Sequence, residues 1–258
     1  MKANFKKILR SGFWGLLIIG ALIPLWIFAQ NANENQKAKV FCTIISNLAS
    51  KFEQRITNYK TKLEEKRAEI ASKFAVKWHE RDAKLVEKRN KWDINRNEHF
   101  AMLEQKAITD QQKQVLLTFK EAVTAAISAR RTAIDAAIQT FRQGVNSAIA
   151  SRKNAVDGAI GDLTNSIIAA VDKAKTDCQN GVDSAAVRQS LKADLKSAQE
   201  KYVSDRQKID KLQSQIEPLL DTRNQAIEKA IADFKSAMEK AKSDFKTAFP
   251  SETAPPEE

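Results

Sequence analysis

Val123-Thr-Ala-Ala-Ile127, Ile134-Asp-Ala-Ala-Ile138, Val145-Asn-Ser-Ala-Ile149, Val156-Asp-Gly-Ala-Ile160 and Ile167-Ile-Ala-Ala-Val171 follow one another at a constant spacing of eleven residues. The first and last positions of each row are β-branched, and three further columns hold only small residues. These are Ala122/Ala133/Gly144/Ala155/Ser166, Ala125/Ala136/Ser147/Gly158/Ala169 and Ala126/Ala137/Ala148/Ala159/Ala170. Eleven residues over three turns is about 3.67 per turn, close to the α-helical 3.6, so the apolar stripe runs nearly parallel to the axis. The spacing predicts one long, thin helix, narrow enough for neighbours to approach on two sides. It reads as the middle of a bundle.

Working outward, the same period governs the chain before it. Phe41, Phe52, Leu63, Phe74 and Leu85 form one column, Ile45, Ile56, Trp78 and Phe100 a second, Leu48, Tyr59, Ile70, Trp92 and Leu103 a third. These columns are bulky where those of the central helix are small, the complementarity that lets two helices interdigitate. Trp78 and Trp92 fall in them and are expected to be buried. Arg67, Arg81, Arg89 and Arg96 share the columns and read as stems lying over apolar surface, or as groups held by a partner's carboxylates.

Ile108-Thr109-Asp110 interrupts the pattern, and Thr109 or Asp110 can cap the next helix. A hairpin tip at residue 110 is midway between the two cysteines, Cys42 and Cys178. In an antiparallel hairpin these lie side by side at the far end, so a Cys42–Cys178 disulfide is expected, against the alternative of two small buried thiols. Asn180-Gly181 marks the second turn, with Asp183 or Ser184 as cap. The third helix spaces its apolar residues mainly by three and four, as a heptad, and Pro218 is expected to kink or break it near Glu217.

The expected fold is therefore all-α: an elongated antiparallel bundle of three long coiled-coil helices with eleven-residue repeats, following an N-terminal apolar segment. The helices are placed at about 37–107, 110–178 and 183–249. Residues 1–29 carry Lys2, Lys6, Lys7 and Arg10 and no acid, then an uncharged apolar run from Ser11 to Ala29. That run is either a membrane anchor or a secretory signal peptide. Both send the body out of the cytoplasm. The expected location is thus a single-pass membrane protein with an extracytoplasmic body, or a secreted one after cleavage. Residues 30–36 read as a juxtamembrane linker and residues 250–258, rich in proline and acid, as a disordered tail.

Composition narrows the function classes. The chain of 258 residues has a net charge of +11. Without the first 29 residues, 39 basic remain against 32 acidic, or +7. Such a surface attracts anionic polymers in a salt-dependent way. His79 and His99 are too far apart to act as a helical ligand pair, and His79 with Asp82 is a weak metal pair. There is no phosphate loop, no nucleophile elbow and no cysteine cluster. No catalytic residue, metal ligand or cofactor is expected, and the chain is read as a non-enzyme. Arg130, Arg131, Arg142, Arg152 and Lys153 recur along the central helix. They are candidates either for a solvent edge or for a ladder that meets acidic side chains of a neighbouring chain. The functional expectation is a membrane-anchored coiled-coil scaffold, spacer or assembly protein of the cell envelope, with a protein partner or self-association. The alternative is a basic binding module for DNA or envelope polysaccharide.

Overall fold

The computed structural model describes residues 34–246. The apolar segment 1–29, most of the linker 30–36 and the tail 250–258 lie outside the described residues. Four helices account for nearly all the rest: α1, Glu34–Lys106; α2, Asp110–Gln179; α3, Ser184–Lys208; and α4, Leu212–Lys246. No strand occurs among the described residues. The chain falls into two compact units. The first joins residues 34–68 of α1 to residues 146–216, and the second joins residues 69–145 to residues 217–246.

Each reversal is fixed by local chemistry. At the first, the Thr109 hydroxyl accepts the Gln112 N–H at 3.1 Å, while the Gln112 side-chain oxygen accepts from the Ile108 and Thr109 backbones at 3.0 and 3.1 Å. This reciprocal capping box satisfies donors that a helix start otherwise leaves open. At the second, Gly181 takes φ +73°. Its N–H donates to the Cys178 carbonyl, and the Val182 N–H reaches back to that of Asp177. That is a Schellman ending, which favours glycine because the left-handed backbone costs it nothing. Asp183 then caps α3, its carboxylate accepting from Ala185 and Ala186 at 3.0 Å each.

The third helical run departs from expectation. It breaks at Ile209-Asp210-Lys211, and α4 continues through Pro218. The heptad reading was also too simple. On α3, Val187 and Ala198 are buried eleven apart, as are Leu191 and Tyr202; on α4, Ala230 and Ala241 are again eleven apart. Counting by elevens from Ala198 leads through Ile209 and Leu220 to Ile231, which is 39% exposed, while Ala230 beside it is 5% exposed. The stripe has slipped by one residue. In an unbroken helix that slip would swing the apolar face by about 100°, and the break absorbs it. Spanning the slip, the spacings of three and four mimic a heptad.

In the first unit one cluster runs through Phe41, Ile45, Phe52 and Ile56 of α1, Val156 to Ala174 of α2, and Val187 to Tyr202 of α3. The second unit has its cluster where Phe100 and Leu103, Leu116 to Ile127, and Ala241 with Phe245 meet. There Phe119 lies 4.6 Å from Phe245 and edge-on to Phe100 at 6.2 Å. Between Phe74 and Phe100 no residue of α1 is fully buried. Trp78 and Trp92, expected inside, are half-buried.

Candidate functional site

Two features join the helices by more than apolar packing. The first is in the N-terminal unit, where Cys42 and Cys178 come to bonding distance, Sγ–Sγ 2.06 Å with Cα atoms 5.8 Å apart. This closes 136 residues of chain.

The second is a ladder of charge between α1 and α2. In the second unit Arg142 grips Asp82 with both Nη atoms, at 2.8 and 2.6 Å. Arg131 grips Asp93 in the same way at 2.9 and 2.8 Å, and Lys120 meets Glu104. The acids stand at 82, 93 and 104 and the cations at 142, 131 and 120, so both rows keep the eleven-residue step in opposite directions. A fourth pair reverses the polarity, with Arg89 bidentate on Asp135 at 2.9 and 2.8 Å. In each of these pairs the two residue numbers add to 224, which is what antiparallel helices in fixed register require. The first unit obeys the same rule, Arg67 meeting Asp157 at 2.8 Å.

The planar fork of arginine suits this role, since two parallel N–H···O bonds fix orientation as well as distance. The hydrogen bonds from Arg131 hold the Asp93 carboxyl down at about 2, with Arg96 assisting. Arg142 lowers Asp82 by the same means. Rings and guanidinium groups also stack: Arg130 over Phe234 at 4.1 Å, Arg142 over Trp78 at 5.4 Å and Arg223 over Phe141 at 4.8 Å. Stacked stems and rings occupy the stretch where α1 buries nothing fully.

The structure thus places all five basic residues singled out on α2. Arg131 and Arg142 face acids of α1, and Arg130 lies on an aromatic ring of α4. Arg152 donates to the Asp210 carbonyl, in the break after α3. Lys153 sits between Asp157 at 2.7 Å and Glu64 at 3.4 Å. The acidic row on α1 escaped the reading of the sequence, because Asp82, Asp93 and Glu104 look like ordinary solvated charges one at a time. The mirrored spacing of Lys120, Arg131 and Arg142 was the signal that would have found it. His79 is exposed, and its neighbour Asp82 is engaged by Arg142. Among the described residues no group of three or more metal-ligating side chains comes together.

No family model, curated protein or solved structure matches the chain.

Proposed function

We propose that this chain is a non-catalytic scaffold or spacer of the cell envelope, tethered by residues 1–29, with its helical units outside the cytoplasm. The observation that carries this reading is the Cys42–Cys178 pair, which ties residues 136 apart in sequence at bonding distance. Such bonds persist in oxidising compartments and are rare where thiols are kept reduced. The basic flank and apolar run at the N-terminus agree with export. The ladder supports a structural task. Its arginines and carboxylates are matched within one chain, which stiffens two helices against sliding without a second molecule.

The test is mass mapping of the full-length chain recovered from its native cells under acid quench, with fractionation of membrane and soluble material. The expected result is a Cys42–Cys178 peptide pair in the membrane fraction, digested by protease added outside the inner membrane. Free thiols in a protected, soluble fraction would overturn the reading.

A further inference from the structure

Among the described residues every asparagine but one lies inside a helix, and the exception, Asn180, is also the one followed by glycine. It stands in the turn between α2 and α3, where Asn180 and Gly181 are both exposed. Beyond its chain neighbours, nothing lies within 4 Å of the place a Cβ would take on Gly181. Water and solvent base therefore reach the peptide bond that joins the two residues.

The chemistry open to this pair is ring closure. Once the Gly181 amide nitrogen has given its proton to solvent base, it attacks Cγ of Asn180. An N–Cγ bond forms, the Cγ–Nδ2 bond breaks, and the nitrogen leaves as ammonia with a proton from solvent. The product is a five-membered succinimide, with no change of oxidation state. Water then opens the ring, at Cγ to give aspartate or at the main-chain carbonyl carbon to give isoaspartate.

The fold restrains the first step. The Gly181 N–H donates to the Cys178 carbonyl at 3.2 Å, the Val182 N–H to that of Asp177 at 3.0 Å and the Asn180 N–H to that of Thr176 at 3.0 Å. The proton that must leave is thus engaged, and attack waits on the opening of this turn. Helix ends fray, and such local opening is rarer where the segment is tied down. Cys178, which accepts the bond from Gly181, is itself tied to Cys42 of α1. Clasp and reactive peptide bond meet in one turn of chain.

The product is not neutral for the hairpin. A new carboxylate at the end of α2 stands between Asp177 and Asp183 in sequence, and the helix dipole disfavours it. Isoaspartate also lengthens the backbone by one carbon, which puts the paired bonds of Gly181 and Val182 out of register.

We propose that Asn180–Gly181 is a site of spontaneous succinimide and isoaspartate formation whose rate is held down by the Cys42–Cys178 clasp. The site lies within the first unit and does not rest on the reading of the chain as an envelope scaffold. The experiment holds the oxidised full-length chain at neutral pH, below its melting temperature, and follows the deamidation mass gain in the tryptic peptide Thr176–Arg188. Asn165, inside α2 and followed by Ser166, is the internal control. The parent chain should convert at Asn180 and not at Asn165, and the double variant Cys42→Ser with Cys178→Ser should convert at Asn180 at least threefold faster. Gly181→Ala keeps the clasp and crowds the attacking nitrogen, so it should slow conversion at least tenfold even where the double variant loses helix by circular dichroism. No conversion at Asn180 in any chain, an equal rate with and without the clasp, Asn165 keeping pace in the parent, or a Gly181→Ala rate equal to the parent's would each overturn the proposal.

Discussion

The two units solve the same packing problem with different materials. The first is joined by a covalent clasp and by a nearly continuous apolar cluster contributed by α1, α2 and α3. The second has no cysteine; its apolar cluster is confined to the end containing Phe100, Phe119 and Phe245, and between Phe74 and Phe100 its α1 is positioned by paired charges. Small residues on α2 bring backbones close and suit the first arrangement. Where α1 carries Trp78, Arg89 and Trp92 instead of aliphatic side chains, none of its residues is fully buried. Specificity then comes from directional bonds. Apolar area fixes how strongly helices associate, and bidentate pairs fix where along each other they do so.

The sharpest way to break the contrast is Phe245→Ala. Phe245 is 2% exposed. Its loss should cost the second unit about 3–5 kcal/mol, read as faster hydrogen exchange at Phe119 and Leu103 with residues 160–171 unchanged. Next comes Cys42→Ser, which should cost the first unit about 2–5 kcal/mol. Denaturant unfolding with and without reductant should then coincide in the variant and differ in the parent chain.

The ladder gives a smaller, pH-dependent effect. The carboxyl of Asp93 sits at about 2 in the fold against an ordinary 3.8. Its stabilising contribution is therefore fully present above about pH 4 and is lost as pH falls towards 2. Asp93→Asn should cost about 1 kcal/mol at neutral pH and flatten that part of the acid profile. Replacing Asp162, far from the second unit's ladder in sequence, should leave the profile of the second unit unaltered.

The smallest effect compares two glycines. Gly158 has open space where a Cβ would go, so Gly158→Ala should gain about 0.5–1 kcal/mol of helix stability. At Gly144 the new methyl would meet both Cδ atoms of Leu219 at 2.9 Å, so the same change should gain less, as melting temperatures would report.

Much of this was legible in the sequence, and the reasons are specific. The rows from Val123 to Val171 predicted α2, and the midpoint of Cys42 and Cys178 predicted the hairpin that Thr109 and Gln112 cap. Those features are periodic or local, and residue order carries them directly. The break at Ile209 escaped because a one-residue slip changes no residue type and shows only when burial is followed from Ala198 to Ala230. The half-exposure of Trp92 escaped for a related reason. A column reports which face a residue occupies, and the bulk on the neighbouring helix decides how far that face is covered.

The mirrored rows of charge have one more consequence. A pattern that repeats every eleven residues is a ruler with identical graduations: slide α1 along α2 by one graduation and Asp82 arrives at Arg131, Asp93 at Lys120. Repetition makes the attraction strong and the address ambiguous. The zero of the scale must therefore be set by a part that occurs once, which in the second unit is the Thr109–Gln112 box and in the first is the Cys42–Cys178 pair. Each leaves its own unit a single way to count.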